Sequence, residues 1–199
     1  MPRLLIAASL AVFAASTIPA AAQQTQSAIF AGGCFWCIES DMDKVPGVTA
    51  TTSGYSGGTL QNPTYPNHEG HREVLKVEFD PSKISYGQLV DIFFRSVDPT
   101  DAGGQFCDRG HAYTTAIYVA DDEQRQAAEK AKAAAQAELG KPVVTPIEMA
   151  GTFWAAEDYH QDYYRKNPIR YRYYRSACGR NDRVETVWGN AAYQGIPAH

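Results

Sequence analysis

Apolar and polar positions along the chain regroup often enough to predict nine elements. Gln26 to Ala31 is short and partly apolar and meets Gly32-Gly33, a strand entering a tight turn. Cys34 to Asp43 reads as a helix that stops before Pro46-Gly47. Val48 to Tyr55 is a Thr-rich strand, and Ser56 to Gly70, with three Gly, two Pro and two Asn, is a loop. Arg72 to Phe79 alternates as a strand, with Leu75, Val77 and Phe79 on one face and Lys76 and Glu78 on the other. Pro81 to Val97 carries Ile84, Leu89, Val90, Phe93, Phe94 and Val97 at helical spacing. After a loop over Asp98 to Gly110, Ala112 to Ala120 is a strand. Asp121 to Leu139 is a helix with an acidic start, stopped by Gly140 and Pro142. Val143 to Met149 is a further strand, and Ala156 to Lys166 a short helix halted at Pro168. From Ile169 the chain is aromatic and basic, without a clear period. This order predicts a single α+β domain with helices packed on a mixed sheet.

Composition supports that reading. The 199 residues are 44% hydrophobic and 20% charged, enough apolar surface for a core, which excludes a disordered or collagenous chain. A net charge of −4 argues against a nucleic-acid binder, which needs a basic face. The start has its own pattern: Arg3, then an apolar run from Leu4 to Ile18, then Pro19-Ala20-Ala21-Ala22 before Gln23. That is the layout of a secretory signal peptide, cleaved after residue 22, and the run is shorter than the ~20 residues of a membrane span. An uncleaved anchor is the less favoured alternative. Removing residues 1–22 deletes one Arg and no acid, moving the net charge from −4 to −5. The expected mature chain, residues 23–199, is exported to a periplasmic or external compartment, where disulfides persist. It is expected to be a monomer with no membrane attachment.

Candidate chemistry begins at Gly32-Gly33-Cys34-Phe35-Trp36-Cys37. A thiol just after two glycines, at a predicted helix start, faces unpaired N–H groups and the positive dipole end, a setting that favours a thiolate. Cys37 lies within one helical turn, so the pair either works in redox chemistry or forms a stabilising disulfide of an exported protein. Glu73 has the parity of the apolar strand face. A carboxyl driven toward a core has its pKa raised and serves as a general acid; the alternative is a frayed strand start in water. Tyrosine is plentiful at 12 residues, mostly for packing. Tyr65 and Tyr113 stand at loop positions where a phenol donates to a developing oxyanion. Asp108 reads as a pocket acid or simply a turn residue before Gly110. His160 reads as a packed or hydrogen-bonding residue rather than a base.

Gly33-Cys34-Phe35-Trp36-Cys37 resembles the signature of the type A peptide-methionine sulfoxide reductases. The likeness continues through Gly54-Tyr55-Ser56-Gly57-Gly58, Asn62-Pro63-Thr64-Tyr65, Gly70-His71-Arg72-Glu73-Val74, Tyr113 to Tyr118, Ala156 to Gln161 and Lys166-Asn167-Pro168. The resemblance implies a two-layer α+β fold with a ferredoxin-like core and a long irregular C-terminal tail. It implies reduction of methionine (S)-sulfoxide, free or in oxidised proteins, with Cys34 as nucleophile and Phe35 and Trp36 lining the methyl pocket. Glu73 matches the family's acid, Tyr65 and Tyr113 its hydrogen-bonding tyrosines, and Asp108 its pocket aspartate. It implies no metal and no flavin; a thioredoxin-like dithiol partner supplies electrons. Many members have Gly where Cys37 stands, and resolve with C-terminal cysteines; Cys107 stands where others often have Asn. Cys37 is therefore the nearest resolving thiol and Cys178 the second candidate, with a Cys107–Cys178 pair expected as a structural bridge or a relay.

Two other functions use the same residues. A thioredoxin-like thiol–disulfide exchanger would also place CxxC after a strand, but needs no strand Glu matched with two tyrosines. A zinc module built on Cys34, Cys37, Cys107 and Cys178 lacks a second CxxC. Ile38, not His, follows Cys37, which argues against a c-type haem site.

Overall fold

The computed structural model describes residues 25–197, so the expected signal segment lies outside the described residues. The chain begins with β1 (Gln26–Gly32), α1 (Phe35–Met42), β2 (Val48–Ser56), β3 (Arg72–Phe79) and α2 (Tyr86–Phe94). A two-residue ribbon, β4 (Gly104–Gln105) against β5 (Asp108–Arg109), leads to a 3-10 turn at His111–Tyr113 and β6 (Thr115–Val119). Then come α3 (Asp122–Leu139), β7 (Ile147–Met149), β8 (Trp154–Ala155), α4 (Tyr163–Lys166), α5 (Pro168–Ala177) and α6 (Arg180–Trp188). The main sheet has six strands in the order β7-β6-β1-β3-β2-β8. Its central four are antiparallel neighbours, the arrangement that two interleaved βαβ units produce, so the ferredoxin-like core is present. β7 joins β6 in parallel, which makes the sheet mixed.

The parity read from β3 decides which residue faces what. Leu75, Val77 and Phe79 pack with Phe30 of β1 under Ile38, Leu89, Phe93 and Val184 from the helices. Val74 points the other way, into a smaller cluster with Ala31, Ala116 and Tyr118, covered by Ala150 and Phe153. Arg72 shares that second face and reaches Thr114, Tyr118 and Glu148. Glu73 is left on the helix face.

Several expected elements are shorter than their patterns. Asp80 accepts from the backbone and hydroxyl of Ser82, so the chain turns after Pro81 and helix α2 starts only behind the Ser85–Gln88 capping box. The strand expected from Ala112 begins at Thr115, which leaves Tyr113 in the 3-10 turn, and the strand expected from Val143 begins at Ile147, after Pro146. The helix expected over 156–166 is absent before Tyr163. Ala156 donates to the Ser53 carbonyl, and the Gln161 side chain bonds both the Ser53 amide and its carbonyl. Tertiary bonds to β2 replace the helical bonds there, and His160 is not on a helix.

The tail after Ile169 is not irregular: it forms α5 and α6. Its period is concealed because Arg175 and Arg180 occupy buried positions where an amphipathic pattern expects apolar side chains. Arg180 donates to the carbonyls of Gly32 and Ser96, and Trp188 to that of Val97, which fastens α6 to the core. Among the described residues no helix is long and apolar enough to cross a membrane.

Glu39 on α1 is buried, and its carboxyl is pushed up to about 7 by burial, against hydrogen bonds from the Asp162 and Tyr163 amides. Its Oε2 has no hydrogen-bond partner. With the folded value above the unfolded one, the stability this group allows is full at low pH and is lost as pH rises through about 7. Glu39→Gln keeps the accepting oxygen and removes the titration. We expect its melting temperature to exceed the parent's at pH 8 by about 2–4 °C, the equivalent of ~1 kcal/mol for a chain of this size. The difference should nearly vanish at pH 3.5, below the unfolded value of 4.5; an equal shift at both pH values, measured by calorimetry, would contradict the assignment.

Candidate active site

The turn between β1 and α1 needs glycine. Gly33 sits at φ +81°, and a Cβ there would lie 2.6 Å from the Gln105 Cβ. The turn delivers Cys34 to the N-cap of α1, with Cys37 one turn further on. Both are free thiols and both are buried, at 6% and 2% exposure. Glu73, 2% exposed, lies opposite Tyr55 in the β2–β3 register and accepts a hydrogen bond from the Phe35 amide at 3.0 Å. The carboxyl therefore stands against the first turn of α1, beside residue 34. Burial pushes it up to about 8, with Asp108 and Cys37 adding to the rise and the Phe35 amide opposing it. Glu73 is a neutral acid at pH 7.

The two phenols converge on the same place. Tyr65, 38% exposed, is held by its amide donating to Glu157 at 2.9 Å. Burial raises its pKa to about 12, helped by the negative charge of Glu73 and Cys34. Tyr113 is raised by burial and by Glu73 and Tyr65. The Asp108 carboxyl is raised by burial and is bonded by the Tyr174 hydroxyl. Phe35 packs at ring-centroid distances of 5.9 Å from Tyr55, 6.4 Å from Tyr65 and 5.1 Å from His160. Trp36 stacks on Tyr163 at 3.8 Å and donates from Nε1 to His160 Nδ1 at 3.0 Å. His160 is thus the hydrogen-bonding residue expected, and its role is to hold the indole.

At Cys34 a second influence opposes the helix start: burial pushes the thiol well up, with Cys37 and Glu73 adding to the rise, and its side chain makes no capping bond. Cys37 is the thiol that is lowered, to about 7. The hydrogen bond from Cys34 is the main cause, and Arg180 and Arg175 contribute against the opposing effect of burial.

Cys107 and Cys178 are joined in a disulfide that ties the β4–β5 ribbon to the end of α5. Cys178 is therefore not a free resolving thiol here, while the bridge matches the expected pairing. Cys107, Asp108 and Cys178 are near neighbours, but the two sulfurs are bonded to each other and Cys34 and Cys37 lie outside the group, which disfavours the four-cysteine zinc module. Sequence reasoning missed Tyr174, Glu157 and the buried Asp41–Arg175 pair at 2.8 Å. Tyr174 and Arg175 lie in the segment without a period, so no pattern marked them.

Comparison with known proteins adds independent findings. The family model for peptide methionine sulfoxide reductase matches residues 26–192. Peptide methionine sulfoxide reductase MsrA 2 of Rhizobium meliloti is 59% identical over 181 residues, 90% of this chain and 91% of that one. Among solved structures, methionine sulfoxide reductase A of Corynebacterium diphtheriae superposes with a TM-score of 0.65 at 30% identity, covering 73% of this chain and 76% of its own. Reduced Mxr1 of Saccharomyces cerevisiae gives 0.65 at 30% identity, covering 72% and 86%; Mxr1 has also been solved in complex with Trx2. On the match over residues 26–192 and on these likenesses, the chain belongs to the peptide methionine sulfoxide reductase family, type A.

Proposed function

We infer that this chain reduces methionine (S)-sulfoxide, free or in proteins, with Cys34 as nucleophile and Glu73 as general acid. The observation that carries the assignment of roles is the buried Glu73 carboxyl, neutral at pH 7 and hydrogen-bonded to the Phe35 amide next to Cys34. A plain disulfide exchanger has no developing oxyanion for this acid and two phenols to meet. Phe35 and Trp36 receive the S-methyl group, where apolar burial is worth ~0.8 kcal/mol per methylene-sized group. The Cys34 sulfur attacks the sulfoxide sulfur. Negative charge builds on the oxygen, where Tyr65 and Tyr113 donate and Glu73 transfers its proton. Methionine leaves and Cys34 remains as sulfenic acid. Cys37 displaces the hydroxyl to form the Cys34–Cys37 disulfide, and a thioredoxin-like dithiol restores both thiols by exchange. Two thiols supply both electrons, so the reaction balances with neither metal nor flavin.

Export through a segment cleaved after Ala22 completes the reading. It is supported by the charged, apolar, small-residue order of the first 22 residues and by the Cys107–Cys178 disulfide, which favours an oxidising compartment.

In a single-turnover assay without reductant, Cys34→Ser should release no methionine. Cys37→Ser should release about one per enzyme, because the electron-accepting step precedes resolution. Methionine release by Cys34→Ser would remove Cys34 from the nucleophile role. Glu73→Gln should slow the first step by about 10²–10⁴-fold, the span typical of general acids, with the fold intact. Because the acid must be protonated, the parent's single-turnover rate should fall as pH rises through about 8, and the Gln variant should lose that fall. An unchanged rate in Glu73→Gln would refute the general acid. Cell fractionation followed by N-terminal sequencing should find a chain starting at Gln23 outside the cytoplasm; an intact Met1 chain inside it would refute export.

A further inference from the structure

Directly beneath the CxxC turn lies a buried charge cluster that the reaction as described leaves unused. Asp41, Arg175 and Arg180 are 0%, 8% and 1% exposed. Arg175 grips Asp41 with both terminal nitrogens, at 2.8 and 3.2 Å. Arg180 Nε stands 3.8 Å from the same carboxylate and has no hydrogen-bond partner, while its other nitrogens go to the neutral carbonyls of Gly32 and Ser96. Two guanidinium groups that stay charged thus face one carboxylate, and a surplus positive charge is buried. Such a surplus is costly unless an anion lies close by.

Cys37 is placed to supply that anion. It precedes Asp41 by four residues on α1, so its thiol and the carboxylate share one helix face; Asp41 opposes a second anion there, and Arg180 and Arg175 favour it. Its carbonyl accepts from Arg175 at 3.4 Å, and its side chain packs with Tyr171 of α5, whose hydroxyl also accepts from Arg175. The remaining groups around it do not cancel the surplus. Cys34 and Glu73 are neutral at pH 7, and Tyr171 and Tyr174 are phenols held un-ionised by burial. Asp108, half-buried and bonded to Tyr174, faces Arg180 and offsets part of the charge, but Lys44 adds a cation beside Asp41 and Arg175, and Tyr193 is a phenol, so three cations still meet two carboxylates.

We propose that the Asp41–Arg175–Arg180 cluster is the seat of a Cys37 thiolate in the resting enzyme, and that Cys37 serves the reaction twice, as proton acceptor for Cys34 and then as resolving nucleophile. Arg175 and Arg180 are positioning residues that act through Cys37. The steps balance. The Cys34 proton passes to the Cys37 sulfur, and the Cys34 thiolate attacks the sulfoxide sulfur. Glu73 gives its proton to the oxygen, the sulfoxide S–O bond breaks, methionine departs and Cys34 holds the hydroxyl. The Cys37–Cys34 S–S bond then forms as the Cys34 S–O bond breaks, and the hydroxyl takes the Cys37 proton and leaves as water. Reduction by the dithiol returns two thiols, and the proton of Cys37 passes back to Glu73.

The double role rests on the sulfoxide-reductase reading; the charged seat does not. The test uses the full chain carrying Cys34→Ser, which keeps a hydrogen-bond donor toward Cys37 at position 34 and, with Cys107 and Cys178 in their disulfide, leaves Cys37 as the one titrating thiol. Its thiolate ultraviolet absorbance should titrate with a midpoint at least one pH unit below the ~8.5 of an ordinary thiol. Adding Arg175→Met should raise the midpoint by about one pH unit, a tenfold loss of thiolate, and Arg175→Lys should keep it low. A Cys37 midpoint at or above ~8.5 overturns the proposal, as does an unmoved midpoint in folded Arg175→Met. Should Arg175→Met not fold, the parent titration and Arg175→Lys decide. Sulfoxide turnover of the wild-type chain is measured separately, so loss of the catalytic reading and loss of the charged seat are distinguishable.

Discussion

The Phe35 amide donates to the Glu73 carboxyl at 3.0 Å, and this bond joins the first turn of α1 to the start of β3. A helix start leaves amides without intrahelical partners, and here a strand side chain takes one of them. The bond also sets the acid's character. Burial drives the carboxyl toward the neutral form while the amide favours the ionised one, and the balance settles at about 8. A carboxyl in water would be ionised at neutral pH, and one with several amide donors would be too strong an acid to stay protonated. The nucleophile, the proton donor and the helix start are one local structure, and displacing any of them moves the others.

Around that centre the pocket is assembled from distant stretches of chain. Glu157 uses one carboxyl oxygen for the Tyr55 hydroxyl and the other for the Tyr65 amide, bracing both the aromatic wall and the loop that carries Tyr65. His160 and Tyr163 hold Trp36 from its edge and its face. A continuous helix over 156–166 would keep its backbone bonds to itself. The segment fastened to Ser53 of β2 instead turns between Glu157 and His160, so that Glu157 reaches Tyr55 and Tyr65 while His160 packs on Phe35 and bonds Trp36.

The C-terminal helices bring the opposite chemistry, cations in the core. Arg175 and Arg180 are tolerated there because all but one of their guanidinium nitrogens meet a carbonyl, a phenol, the Asn181 amide or Asp41, and Arg180 also lies over the Phe106 ring at 4.6 Å. The disulfide between Cys107 and Cys178 secures the end of α5 against the ribbon that carries Asp108, where Tyr174 bonds the Asp108 carboxyl.

Alternation over Leu75, Val77 and Phe79 assigned Glu73 the parity of the buried face, because strand side chains point by parity, and the structure excluded the frayed start that the sequence left open. The double glycine before Cys34 likewise marked the turn and the helix start, and the ordered motifs from residue 33 to residue 168 marked the family. These are local signals, carried by neighbouring residues. Tertiary structure alone decided which thiol is lowered, since that depends on the hydrogen bond between the two thiols, on burial of Cys34 and on guanidinium groups arriving from α5 and α6. It alone turned 156–162 from an apparent helix into a strap on β2, because bonds to Ser53 outweighed local periodicity. And it alone ordered the tail, where buried arginines erased the apolar stripe by which a sequence announces a helix.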